Sequence, residues 1–172
     1  MKSVVYVGRF QPLHKGHVHV IKDILSNFDR VIIVIGSGTE SYTEKNPFTG
    51  GERLEMILET FNEVSDGQLI VIPVKDINYE FLWYRYLDSL LPHYDYVATS
   101  DPVSLNLTLI NKKKIYSIKP FKRDIYKGKY VRELMATGKP WKDLVDYRVA
   151  RIIEVLDGVE RIRKIYKRKD DL

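Results

Sequence analysis

Ser3 to Val7 is β-branched or aromatic almost throughout, the continuous apolar run expected of a strand buried on both faces of a parallel sheet. Gly8 ends it. From His17 the apolar positions Val20, Ile21, Ile24, Leu25 and Phe28 recur with helical spacing, and Val31 to Ile35 is a second buried strand. The opening residues therefore predict a βαβ unit. Gly36 to Thr49 is polar and contains glycine, and connections of that length inside a compact domain are usually functional or disordered. Thr49 and Glu52 have capping-box spacing, and Leu54, Ile57, Leu58 and Phe61 supply the apolar face of the helix that follows.

Gln68 to Val74 reads as a third strand, Phe81 to Leu91 as a helix, Tyr94 to Thr99 as a fourth strand and Lys114 to Ile118 as a short fifth. A short helix over Lys129 to Thr137 stops at Gly138 and Pro140. Helical spacing from Leu144 to Ile165 is interrupted at Asp157 and Gly158. Strands alternating with helices predict a parallel, doubly wound, Rossmann-like α/β sheet in one domain spanning residues 1–172, with a helical C-terminal portion at about 128–168. In such sheets ligands bind beyond the carboxyl ends of the strands, where the strand order reverses. Gly8 to Gly16, Gly36 to Thr49, Val74 to Trp83 and Thr99 to Pro102 are the segments expected to share that rim.

A length of 172 residues fits one core, and 44% apolar with 30% charged residues is too hydrophobic for a disordered chain. No apolar run approaches the ~20 residues of a membrane helix, and the first residues enter a strand without signal-peptide architecture. A cytoplasmic protein with no membrane partner is expected. With no cysteine, disulfides, thiolate metal sites and Cys nucleophiles are excluded. The net charge is +5, but the stretch from Arg161 holds six basic residues against Asp170 and Asp171. The body is nearly neutral, so the basic balance does not point to nucleic acid. Arg161 to Lys169 and Lys112 to Lys114 read as solvated helix faces and hairpin edges.

The first rim segment, Gly8-Arg9-Phe10-Gln11-Pro12-Leu13-His14-Lys15-Gly16-His17, suits an anion. Gly8 permits close approach of a ligand to the backbone, and the helix start turns free N–H groups and a positive dipole end toward it. His14 and His17 can donate to phosphoryl oxygens, Gly16 keeps the turn narrow, and Arg9 adds a permanent charge. A plain turn with capping or packing histidines is the alternative. A zinc site on His14, His17 and His19 is weaker still, since no nearby carboxylate or cysteine completes the set.

This segment resembles the HxGH signature of the nucleotidylyltransferase superfamily, and the longer Gly-Arg-Phe-Gln-Pro-x-His-x-Gly-His string is similar to that of the archaeal-type nicotinamide-mononucleotide (NMN) adenylyltransferases. Asn46-Pro47-Phe48-Thr49-Gly50-Gly51-Glu52-Arg53 resembles a second block of that family. Asp124 to Met135 stands where it carries a phosphate-binding turn before a late helix. The resemblance implies transfer of the adenylyl group of ATP to NMN, giving NAD and pyrophosphate, with Mg²⁺ carried by the ATP phosphates and a homo-oligomeric assembly.

It further implies His14, His17, Arg9 and Arg132 as catalytic groups. The ATP site would comprise these with Gly8, Phe10, Gly16, Lys45, Ser100, Asp101 and Gly128, and the NMN site Gly36, Ser37, Asp76, Asn78 and Trp83. Trp83 offers a flat face to a cationic pyridinium ring, or is a core tryptophan. Two positions depart from the family pattern: Lys45 replaces an arginine, and Lys129 with Tyr130 replaces a threonine and an acidic residue. Two other functions fit the same loop. One is a sister adenylyltransferase acting on another phosphate acceptor such as phosphopantetheine. The other is a non-catalytic nucleotide sensor or nucleic-acid-binding module.

Overall fold

The structure, a computed structural model, describes residues 1–110 and 112–170; Asn111, and Asp171 and Leu172 at the end of the basic tail, lie outside the described residues. Five strands form one sheet: β1 (Ser3–Gly8), β2 (Arg30–Ile35), β3 (Leu69–Pro73), β4 (Tyr96–Thr99) and β5 (Lys114–Ser117). All neighbouring pairs are parallel, in the order β3-β2-β1-β4-β5. The chain steps outward from β1 to β3, then returns to add β4 and β5 on the other side of β1. The strand order therefore reverses between β1 and β4, where Val4 sits opposite Tyr96.

That reversal distributes the helices. Alternate strand residues face opposite sides of a sheet, so Val4, Val31, Ile33 and Ile35 enter one core while Val5, Ile32, Val34 and Val97 enter another. The first core is covered by α1 (Lys15–Asn27), α2 (Gly50–Thr60) and the C-terminal helices α5 (Gly128–Ala136), α6 (Tyr147–Val155) and α7 (Gly158–Asp170). Against the second packs α3 (Trp83–Leu90), through Tyr84 and Leu87. The sheet is doubly wound, as expected. Among the described residues no helix is long and apolar enough to cross a membrane.

Several expectations need correction. α1 begins at Lys15 rather than His17, because His14 caps it. A helix absent from the sequence reading, α4 (Pro102–Ile110), connects β4 to β5. Its residues alternate apolar and polar with the two-residue period of a strand. Local capping decides instead: Asp101 Oδ2 accepts from Ser104 N–H at 2.8 Å, with Pro102 at the favoured first helical position.

Lys112 to Lys114 is no hairpin edge, since β5 runs parallel to β4. Lys113 is paired with Asp88 at 2.8 Å and lies over the Tyr94 ring. The basic tail is not simply solvated either, for Ile162 is fully buried and Arg161 forms a two-pronged ion pair with Glu52 at 2.7 and 2.9 Å. The expected break at Asp157 and Gly158 is present. Asp157 takes a positive φ of 50° there, and a side chain at Gly158 would meet the Phe48 ring at 2.9 Å.

Candidate active site

His14 is the N-cap of α1 and His17 its third residue, and the two side chains cap reciprocally. His17 N–H donates to His14 Nδ1 at 3.2 Å, and His14 N–H donates to His17 Nδ1 at 3.3 Å. Each Nδ1 is thus an acceptor, so the ring proton of each imidazole sits on Nε2. The rings stack 3.6 Å apart, 14° from parallel. Burial lowers His14 to about 4; burial and then the neighbouring His14 hold His17 well below the ordinary histidine value. At neutral pH the pair is uncharged and offers two Nε2–H donors.

Together with Gly16, Ser100 and Tyr6, both rings line a cavity of about 250 Å³ at the β1–β4 reversal. Its opposite wall is the connection from β5 to α5: Ile118, Pro120, Phe121, Arg123, Tyr126 and Lys127. Gly16 is required here because a Cβ would lie 2.7 Å from Tyr126 Cβ. Phe10, at a positive φ of 51°, is buried beneath the loop. Its ring meets Tyr6 and His17 edge-on at 5.9 and 4.9 Å, so Phe10 fixes the floor under His17 and leaves only its backbone to touch a ligand.

The arginine that lines this cavity is Arg123; the expected Arg9 and Arg132 do not line it, although Arg9 is close enough that its charge depresses both Arg53 and Arg132. Arg9 is exposed. Arg53, fully buried, donates to the carbonyls of Thr49, Arg9, Gly36 and Ser37 at 2.9–3.0 Å. Desolvation lowers it to about 10, which leaves it charged at neutral pH. Gln11 makes two further ties, donating to Phe48 C=O at 2.8 Å and accepting from its N–H at 3.0 Å. The Gly8–His17 loop and the Asn46–Arg53 block are thereby one rigid unit. Arg132 on α5 is 7% exposed and donates from Nη1 to Gln11 C=O at 2.7 Å.

The profile of the cytidylyltransferase-like family matches residues 5–144. The chain belongs to this family. Over 162 residues it is 40% identical to the nicotinamide-nucleotide adenylyltransferase of Pyrococcus horikoshii, covering 94% of this chain and 87% of that protein. It is 37% identical over 171 residues to the protein of the same name from Thermoplasma acidophilum, covering 99% and 96%. Among solved structures it is similar to a bifunctional NMN adenylyltransferase/ADP ribose pyrophosphatase from Francisella tularensis complexed with AMP and a Mn ion, with TM-score 0.78 at 21% identity. That match covers 98% of this chain and 53% of the other, so the chain spans about half of its length. A Plasmodium falciparum nicotinic acid mononucleotide adenylyltransferase complexed with APC has TM-score 0.66 at 15% identity, covering 93% and 98%.

Within this family fold the remaining expected residues divide. Gly36, Ser37 and Asp76 come together at the ends of β2 and β3, where Asp76 accepts from Ser37 N–H at 2.8 Å and Ser37 Oγ at 2.5 Å. Gly128 packs directly on the first loop; a Cβ there would lie 2.9 Å from Gln11 C=O. Asp101 spends a carboxylate oxygen on capping α4. Trp83 is half-buried against the second core, 6.0 Å from the Tyr86 ring. Lys45 and Asn78 are exposed, and neither they nor Trp83 line the histidine cavity. The sequence reading gave no site role to Arg53 or Gln11 and missed Phe121 and Arg123, whereas Tyr126 and Lys127 fall within the Asp124 to Met135 segment expected to carry a phosphate-binding turn. Among the described residues no three His, Asp or Glu side chains converge as metal ligands.

Proposed function

We propose that this chain transfers the adenylyl group of ATP to NMN, giving NAD and pyrophosphate. The reading rests on one observation above all: two neutral imidazoles, locked as Nε2–H donors at a helix N-terminus, line a cavity at the strand-order reversal. A phosphate oxygen of NMN attacks the α-phosphorus of ATP, a new P–O bond forms, the bond to the β-phosphate's bridging oxygen breaks, and pyrophosphate leaves. The acceptor is already an anion, so no protein nucleophile is needed. Alignment of the two phosphates can supply ~7–11 kcal/mol. Donors preset toward the charge on the transferring group and pyrophosphate add to that.

In this reading His14, His17, Arg9 and Arg132 are the catalytic donors. The backbone of Gly8, Phe10, Gly16 and Gly128 lets the nucleotide approach closely, with Lys45, Ser100 and Asp101 at the edge of the ATP site. Gly36, Ser37, Asp76, Asn78 and Trp83 receive NMN. Mg²⁺ enters as part of the MgATP substrate, held by phosphates and water rather than by a protein cage. One domain over 1–172, a cytoplasmic location, homo-oligomeric assembly and no nucleic-acid partner complete the proposal. The test is a turnover assay with ATP and, in parallel, NMN, its deaminated form and phosphopantetheine. Formation of NAD with NMN is the expected result. Turnover confined to phosphopantetheine favours a sister transferase, and salt-sensitive RNA binding without turnover favours a binding module.

A further inference from the structure

The cavity wall opposite the histidines belongs to no helix or strand: from Ile118 to Lys127 the chain between β5 and α5 is irregular. Of its backbone N–H groups, those of Ile125, Tyr126 and Lys127 donate within the segment, and that of Ile118 donates to Thr99 C=O at 3.3 Å. A column of rings presses the segment against α1. His19 stacks on Phe121 with centroids 4.1 Å apart and planes 20° from parallel. Phe121 lies 5.7 Å and 14° from Tyr126, and Tyr126 lies 6.3 Å and 22° from His14. Both ends of the column belong to α1 and its cap, and Gly16 between them leaves room for Tyr126 to seat.

Phe121 and Tyr126 are half-buried, and with Arg123 and Lys127 they line the histidine cavity. The side chains of Arg123 and Lys127 are exposed and, among the described residues, form no hydrogen bond or ion pair. Facing them are the two Nε2–H donors of His14 and His17, and no carboxylate stands among the described residues of the lining. Two uncompensated cations opposite two neutral donors suit a ligand with several anionic oxygens, two of which one guanidinium can grip at once. Cations on an irregular segment serve such a ligand best when the segment is already held, because ordering it on binding costs affinity. His19, which the sequence offered only as a third zinc ligand, is spent on the Phe121 ring.

We propose that Phe121 is a positioning residue of the site: gripped between His19 and Tyr126, it seats the β5–α5 connection on α1 so that Arg123 closes the cavity opposite the imidazole donors and meets the polyphosphate there. The Phe121 ring acts through Arg123. The inference rests on the adenylyltransferase reading for the identity of the anion, and on ring geometry and the cavity lining for the rest.

Its test is a double-mutant cycle with Phe121→Leu and Arg123→Gln in the full chain, read by affinity for α,β-methylene-ATP and by KM for ATP and for NMN. Arg123→Gln should weaken analogue binding about tenfold, the loss of one charge-assisted hydrogen bond. Phe121→Leu keeps an apolar side chain and removes the ring; an about fivefold weakening is expected, with KM for ATP rising in step and KM for NMN and the melting temperature unchanged. Phe121→Tyr, which keeps the ring, should bind like wild type. The loss from Phe121→Leu should vanish when Arg123 is already glutamine, because the two effects run through one group. An equal loss in both backgrounds, no loss in the wild-type background, or a melting temperature that falls while analogue affinity stays constant overturns the proposal. Wild-type protein that binds no analogue overturns it as well. Should wild-type protein bind the analogue but leave NMN unused, the substrate reading fails, and the cycle on analogue affinity still decides the role of Phe121.

Discussion

His14 is buried, and the cost of bringing its charged form out of water sets how it responds to pH. Its folded-state value of about 4 lies below the usual 6.5. Between those values the unfolded chain binds a proton that the folded chain refuses, so stability falls as pH drops from 6.5 toward 4 and is intact above 6.5. The loss expected from His14 is about 3 kcal/mol over that window. Denaturant unfolding of wild type and His14→Asn at pH 7 and pH 4.5 checks it: the variant should lose distinctly less stability on acidification. His17→Ala should lower kcat by at least ~10², since a donor to developing phosphoryl charge is worth ~2.7–4 kcal/mol. Its cost to folding should stay near ~1 kcal/mol, the value of a lost cap interaction. Normal turnover with a collapsed melting temperature would make His17 a packing residue. Both histidines were legible because a spacing of three residues at a helix start admits few geometries. The contact of Tyr126 with Gly16 was not, for it joins distant parts of the chain.

Among the elements, the helix that matters most to site geometry is α2, and it acts through Arg53. A cation that is completely buried is costly unless its donors are used, and here they are spread over four backbone carbonyls belonging to two rim segments. Arg53→Ala would leave those carbonyls buried and unpaired, and a loss above about 3 kcal/mol is expected. Arg53→Lys should recover only part of it, because an ammonium cannot reproduce the planar fork. Chemical denaturation of the two variants tests this, and a change under about 1 kcal/mol for alanine would remove Arg53 from its bridging role. The sequence placed Arg53 inside a recognisable block but carried no sign that its side chain points inward, since arginines are rarely fully buried. α4 escaped notice for a different reason: alternation of apolar and polar residues outweighed the Asp101–Pro102 helix-start signal. Strands β1 and β2 suffered no such ambiguity, because each is an unbroken aliphatic or aromatic run bounded by glycine or charge.

For the molecule as a whole, the doubly wound sheet follows from alternating strands and helices, and the rim that gathers the site follows from the sheet. The contribution of α7 does not follow from pattern, because its Lys and Arg residues read as a solvated face while its ion pair with Glu52 joins positions far apart in the sequence. Those contacts divide the tail at a definite place. A chain ending at Tyr166 keeps Arg161, Ile162 and Tyr166 and loses only Lys167 to Leu172, three basic and two acidic residues, so its turnover and melting temperature should match wild type. A chain ending at Glu160 leaves Glu52, only 14% exposed at its side chain, without its partner and uncovers the core around Ile162. Losing the partner of this part-buried carboxylate together with the fully buried Ile162 is expected to cost about 3 kcal/mol or more, and at this chain length that corresponds to a fall in melting temperature of about 10 °C. Calorimetry and turnover of the two truncations, with sedimentation to follow assembly, separate the possibilities. If the chain ending at Tyr166 also loses activity or assembly, the basic end joins subunits or binds a polyanion, and the boundary of the functional molecule lies beyond Tyr166.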